Sequence, residues 1–161
     1  LVREHMFVYD PEVTTEKGVR RLLRRVGVGN VDDLIKIREA DRIGSGVPKA
    51  QPYRLRYLQA MIEKAKKEPV SVKQLKVNGD IMIKDLKMSP GPRMGYILAI
   101  LLEGVLDDPK LNTKKYLLEK VGELDKLSDN KLKEAADKAR ESAEEAQKRL
   151  DGAIKEKYFV K

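Results

Sequence analysis

The chain has 161 residues, with 34 lysines and arginines against 26 acidic residues and a formal net charge of +8. No cysteine and a single histidine are present, which excludes disulfides, thiolate metal sites and a histidine cluster for metal. The longest apolar run, residues 97–102, is far shorter than the roughly 20 residues that span a bilayer, and residues 1–30 lack the apolar core of a signal peptide. We therefore expect a cytoplasmic protein without a membrane segment, and its charge favours a polyanionic partner.

Helical spacing dominates the sequence between short junctions rich in glycine and proline, which predicts an all-α fold. We expect a bundle or array of about seven helices that ends in a long C-terminal helix. Changes in pattern divide the chain into a helical segment at residues 1–69, a helical body at residues 70–125 and a long charged helix at residues 126–161.

Three helices are predicted in the first half of the chain. Thr14 or Thr15 is expected to cap a helix that runs to about Val26. A second helix is expected over residues 30–43, with two aspartates in its first turn. A third covers residues 52–67, where apolar residues recur in steps of three and four.

The second half begins with short helices and ends with a long one. Short helices are expected over residues 72–75 and 81–86, and the apolar helix at residues 91–106 should form the centre of the core. Another helix is expected over residues 112–124. The last begins near Ser128 and carries a heptad seam made mostly of alanine, which indicates close helix packing. The seam consists of Leu132, Ala136, Ala139, Ala143, Ala146, Leu150 and Ala153.

Four arginines on the first predicted helix form two like-charged pairs at i, i+4 spacing, each costing a few tenths of a kcal/mol. A bound phosphate backbone would relieve this repulsion and release counterions. A solvated basic face explains the same residues equally well. The candidate phosphate ligands on this helix are Arg20, Arg21, Arg24 and Arg25.

A second candidate phosphate site lies at residues 89–93, Ser-Pro-Gly-Pro-Arg, just before the apolar helix. Free backbone N–H groups at a helix start attract anions, and Gly91 would let a phosphate approach closely. The alternative is a rigid corner fixed by the two prolines. Residues 51–100 hold ten Lys/Arg and four Asp/Glu, which favours phosphate. The candidate ligands around the loop are Lys73, Lys76, Lys84, Lys87 and Arg93.

The sequence offers no convincing active site. Ser45 has no histidine near it in sequence to act as a base. His5 is more simply a structural histidine, and the acidic residues within 39–42 are explained by a salt bridge on a helix surface. We therefore predict no catalytic residue and no metal site.

Two segments carry a family resemblance. Residues 77–82 read Val-Asn-Gly-Asp-Ile-Met, and residues 90–98 read Pro-Gly-Pro-Arg-Met-Gly-Tyr-Ile-Leu. This pattern and spacing resemble the C-terminal region of class II tRNA nucleotidyltransferases and bacterial poly(A) polymerases, where it follows an HD-type domain. Residues 1–6 and 38–44 resemble the end of that HD-type domain, so the likeness covers about residues 1–122.

The resemblance implies a helical platform that holds tRNA while a separate catalytic domain adds nucleotides to its 3′ end. The catalytic head of the family, with its paired aspartates for magnesium, has no counterpart in this sequence. Magnesium and nucleoside triphosphates are therefore implied for the parent protein, and no cofactor is expected for this chain. Because the chain opens with Leu1 and an apolar pattern, we interpret it as a fragment whose partner is a missing N-terminal catalytic domain.

Three functions remain open from the sequence. The favoured one is a non-catalytic region that binds tRNA or another structured RNA. The second is a remnant of an HD-type metal-dependent phosphohydrolase, in which Asp41 would be an orphaned ligand. The third is a protein-interaction module that forms a homodimer through the alanine seam of the last helix.

Overall fold

The computed structural model describes residues 9–46 and 51–141, together with Glu4 and Glu145. These residues form α-helices and three short 3₁₀ helices, with no β-strand among them. The all-α fold predicted from the sequence is therefore confirmed. The chain divides into two compact units, with the boundary between Glu68 and Pro69.

The first unit contains α1 (Glu16–Val26), α2 (Val31–Gly44) and α3 (Tyr53–Ala65), with a 3₁₀ turn at Val28–Asn30. The helices α1 and α3 bury the apolar stripes that their spacing predicts, and they pack on each other. In α2 the buried residues lie near the start of the helix, and Ile43 is exposed. The core is formed by Val19, Leu22, Leu23, Val26, Val31, Leu34, Ile35, Leu55, Leu58, Ile62 and Ala65.

The ends of α1 show why the helix occupies these residues. The Oγ1 atom of Thr15 accepts a hydrogen bond from the backbone N–H of Gly18 at 3.1 Å, so Thr15 is the cap. Thr14 instead accepts from the N–H of Asp10 at 2.8 Å and holds the preceding turn. At the other end Gly27 has φ 86°, a conformation that glycine adopts without steric cost.

The second unit contains α4 (Gly79–Lys84), α5 (Pro92–Asp107), α6 (Lys114–Leu124) and a further helix, α7, described over residues 129–141. It also contains two 3₁₀ helices, Val72–Gln74 and Pro109–Leu111. The most apolar helix, α5, is central because it contacts α4, α6 and both 3₁₀ helices of this unit. Its buried apolar residues are Met94, Ile97, Ala99, Leu101, Leu102, Val105 and Leu106.

The short helix α4 begins two residues earlier than the sequence predicted. The Oδ1 atom of Asn78 accepts from the N–H of Ile81 at 3.1 Å, so Asn78 caps the helix and Asp80 lies in its first turn. The segment predicted as a lead-in is therefore the cap and the start of the helix itself. The helix predicted at residues 72–75 is the 3₁₀ helix Val72–Gln74.

The first positions of the alanine seam on α7 are used within this chain. Leu132 and Ala136 are fully buried in the second unit. Their burial leaves them unable to contact a second copy of the chain. The seam positions at residues 143, 146, 150 and 153 lie outside the described residues.

Candidate nucleic-acid interface

The four arginines of α1 have two different environments. Arg20 and Arg21 are only 4% and 9% exposed, whereas Arg24 and Arg25 are exposed. An Nη atom of Arg20 lies 2.8 Å from Glu68 and 3.8 Å from Glu16. The expectation that all four face a phosphate backbone is corrected for Arg20 and Arg21, because their side chains are buried in the first unit.

Arg24 and Arg25 lie on the solvent-exposed surface of α1. Arg25 forms an ion pair with Glu4 at 3.3 Å, and both side chains remain partly open to solvent. Exposed pairs of this kind contribute little to stability. Arg24 and Arg25 are therefore the two residues of the arginine run whose position permits contact with a polyanion.

In the second unit, the loop before α5 lines an open groove, which we call the Pro-Gly-Pro groove. One side is formed by residues 86–93 and Tyr96, and the other by the α6–α7 turn and the first turns of α7. Lys87, Gly91 and Arg93, which the sequence predicted as ligands, all line it. The α6–α7 side contributes Asp125, Asp129, Asn130 and Lys133.

The backbone start of α5 faces this groove without a side-chain cap. Pro92, the first residue of α5, has no N–H, so the first N–H groups of the helix belong to Arg93 and Met94. Gly91 occupies the cap position and has no side chain that could accept from them. By contrast, Asn78 and Thr113 cap α4 and α6 with their side chains. Gly91 is exposed in extended backbone, and a Cβ atom there would meet nothing within 4 Å. Its predicted role in close phosphate approach stays a prediction.

Arg93 is committed to the α6–α7 turn. Its Nε atom donates to Asp125 Oδ1 at 3.0 Å, and one Nη2 N–H donates to the carbonyl of Leu127 at 2.9 Å. Further bonds reach the carbonyl of Asp125 and the carboxylate of Asp129. The hydrogen bonds that Arg93 donates to the carboxylates of Asp129 and, to a lesser extent, Asp125 hold the pKa of Arg93 above its ordinary value. A guanidinium has five N–H donors, and four of those of Arg93 are used within the chain.

Lys87 enters the groove from an unusual backbone conformation. It has φ 55°, the left-handed region that lysine rarely adopts. This turn brings the N–H of Met88 to the carbonyl of Met82 at 3.0 Å, which closes the end of α4. The conformation therefore has a structural cause and places the exposed Lys87 side chain at the groove edge.

The other predicted lysines are exposed, but they do not line the groove. Lys84 is the last residue of α4, and Lys73 lies on the 3₁₀ helix. The Lys76 backbone is held by Asn112, whose Oδ1 accepts from the Lys76 N–H at 2.9 Å while Nδ2 donates to the Gln74 carbonyl at 3.1 Å. One amide side chain thus fixes the segment that carries Lys73 and Lys76.

Sequence reasoning missed Lys133 and Asn130 as groove residues. Both lie on α7, about forty positions after the Pro-Gly-Pro loop. Their helix carries nearly balanced charges, which is typical of a solvated face. Only the return of the chain at the α6–α7 turn, fixed by Arg93, places them beside the loop.

A known protein family matches this chain. Residues 32–121, more than half of the chain, match the family described as tRNA nucleotidyltransferase domain 2. The chain belongs to this family. The matched region of the tRNA nucleotidyltransferase domain 2 extends from α2 to α6 and contains both motifs that carried the resemblance.

Searches of curated proteins and of solved structures gave no match to this tRNA nucleotidyltransferase domain. No group of three or more His, Cys, Asp or Glu within its described residues could hold a metal ion. Over the same part of the chain, no helix is both long and apolar enough to cross a membrane.

Proposed function

We propose that this chain is a non-catalytic, tRNA-binding region of a tRNA nucleotidyltransferase or poly(A) polymerase. The Pro-Gly-Pro groove is its phosphate-binding surface. Nucleotide addition, with its magnesium ions and nucleoside triphosphates, belongs in this proposal to a catalytic domain outside the chain. Membership of the tRNA nucleotidyltransferase family supports a role on tRNA.

The observation that carries the proposal is the uncapped start of α5 inside a groove with lysines on both sides. The first N–H groups of a helix attract anions through their partial positive charge. Lys87 supplies a full charge from the loop and Lys133 supplies another from α7. Contacts of this kind address RNA phosphates and shape without reading sequence.

Arg93 has a different part in the proposed site from the one expected from the sequence. It neutralises Asp125 and Asp129, which would otherwise repel a phosphate from the groove. It also fixes the α6–α7 turn that carries Lys133 into position. Arg93 is therefore a positioning residue, and Lys87 and Lys133 are the proposed phosphate contacts within the groove. Lys84 lies outside the groove, two positions before its lining residue Leu86, and is proposed as a third phosphate contact.

The test is a titration of the chain with tRNA at about 50 and 200 mM salt. In the test variant Lys84, Lys87 and Lys133 are replaced by alanine. In a matched control three other exposed lysines, Lys36, Lys110 and Lys138, are replaced instead. The two variants remove the same charge, so a general loss of attraction affects them equally.

We expect the groove variant to bind more weakly and to show a shallower salt dependence, because each lost phosphate contact lowers the slope by about one. The control should keep the slope of the wild type. Equal slopes for both variants would show that the groove does not bind phosphates. An absence of tRNA binding by the wild type at low salt would refute the proposed function itself.

A further inference from the structure

The outer face of α3 carries two tyrosines that the core does not use. Tyr53 is 65% exposed and Tyr57 is 37% exposed. Their ring centroids are 6.3 Å apart and the ring planes are tilted by 34°. The i, i+4 spacing places them one above the other on the helix. The residues that α3 buries, among them Leu58 and Ile62, lie on the opposite side.

An exposed arginine lies beside this pair of tyrosines. Arg56 is exposed and lies three positions after Tyr53, on the same face. Ala60, three positions after Tyr57, is exposed and short, whereas Met61, four positions after Tyr57, lines a crevice with Tyr57 and residues of the 9–14 segment. Residues 51–68 contain five Lys/Arg and two Asp/Glu. Arg54, Lys64 and Lys66 form ion pairs with acidic residues, so the positive charge of this face rests on Arg56. The face thus combines two aromatic rings with a positive charge, and we call it the tyrosine face.

Exposed rings flanked by arginine are the arrangement on which unpaired bases stack. Every base has a π-face, so stacking tolerates any sequence, while the arginine attracts the backbone. Bases inside a duplex already stack on each other and present only their edges. A protein partner would be favoured by a continuous apolar patch. Beyond the two rings, however, this face continues through Ala60 to the charged Lys64.

We propose that the tyrosine face is a stacking site for unpaired nucleotides of RNA. Tyr53 and Tyr57 provide the stacking surface, and Arg56 contacts the phosphate between stacked bases. The inference rests on the proposed function in that the ligand is RNA. It adds a second site, in the first unit, with a preference for single strands that the phosphate-binding groove does not have.

The test compares a labelled RNA single strand of about ten nucleotides with the same strand annealed to its complement. Three proteins are titrated with each: wild type, a double variant Tyr53→Ala with Tyr57→Ala, and a double variant Tyr53→Phe with Tyr57→Phe. Phenylalanine keeps the ring, so the second variant separates stacking from hydroxyl hydrogen bonding. Thermal unfolding checks that the variants are folded, which is expected because both side chains are exposed.

We expect the alanine variant to bind the single strand at least about fivefold more weakly, with duplex affinity nearly unchanged. The phenylalanine variant should stay within about twofold of wild type on both ligands. Unchanged single-strand affinity of the alanine variant would overturn the inference. Equal losses on single strand and duplex would overturn it as well. If the alanine variant keeps its RNA affinity but the mass of the protein in solution changes, the tyrosine face binds another copy of the chain and the inference is overturned.

The same titrations with the groove variant of Lys84, Lys87 and Lys133 keep the two proposals separate. Loss of single-strand binding in the tyrosine variant, with tRNA binding intact in the groove variant, would support the stacking site and refute the groove. The opposite pattern would support the groove and refute the stacking site.

Discussion

Replacement of Arg20 by methionine tests whether the arginine run of α1 is structural or RNA-binding. The guanidinium is 4% exposed and bonds to Glu68 at 2.8 Å, while the Glu68 side chain is 23% exposed. Methionine preserves the length and the helix propensity of the side chain but removes the charge. Glu68 would then lose its nearest cation while remaining partly buried.

Breaking a fully buried ion pair from one side costs about 3–5 kcal/mol, because a buried charge is left without a partner. Water can reach part of Glu68, so we expect a smaller loss, about 2–3 kcal/mol in the free energy of unfolding. For a chain of this size such a loss lowers the melting temperature by roughly 5–10 °C. Urea denaturation followed by circular dichroism measures the change directly.

The matched control is Arg24→Met, an exposed arginine of the same helix. Its unfolding free energy should stay within about 0.5 kcal/mol of the wild type. The effects on tRNA affinity should be the reverse of the effects on stability. Arg24→Met should bind tRNA more weakly than the wild type, whereas Arg20→Met, assayed well below its melting temperature, should bind tRNA as the wild type does. If Arg20→Met were as stable as the wild type, the ion pair with Glu68 would not stabilise the fold. If the folded Arg20→Met variant bound tRNA more weakly, Arg20 would be an RNA-binding residue.

Three further predictions concern single residues. Lys87→Gly should raise the unfolding free energy by about 1 kcal/mol, since glycine adopts φ 55° without strain, and should weaken tRNA binding; urea denaturation and titration check the two effects. Asn112→Ala should cost about 1–2 kcal/mol in the same denaturation assay, because two hydrogen bonds to the backbone of Gln74 and Lys76 are lost. Burial raises the pKa of Tyr9 above its usual value, although nearby arginines partly oppose the shift. A tyrosine whose pKa is raised in the folded state stabilises the fold at pH values below its unfolded pKa of about 10, and this contribution is lost as the pH rises. The free energy of unfolding of Tyr9→Phe, measured by urea denaturation, should therefore fall less than that of the wild type between about pH 9 and 11.

Much of the fold followed from local patterns in the sequence. Apolar residues at helical spacing identified α1, α3 and α5, because each of these helices buries one stripe against the core. The end of α1 was readable because Gly27 takes a backbone conformation that other residues avoid. The start of α4 was missed because Asn78 and Gly79 resemble a turn, and only the hydrogen bond to Ile81 shows a cap.

The candidate site was less readable because charge patterns do not reveal burial. Arg20 and Arg24 are both arginines of one helix four positions apart, yet one is buried beside Glu68 and the other is exposed. The partner of Arg20 lies 48 positions later in the chain, beyond the reach of any helical spacing rule. Lys133 could not be assigned to the groove for the same reason, since a contact between distant segments brings it there.

The contacts of Arg93 bear on how this domain should be divided for experiments. The family match ends at residue 121, but Arg93 holds the turn that follows α6 and leads into α7. A fragment cut at the matched boundaries would also separate α3 from α1, on which it packs. The part of the sequence that defines the family is thus smaller than the part that folds, and expression fragments designed from the signature alone would expose apolar surface at both ends.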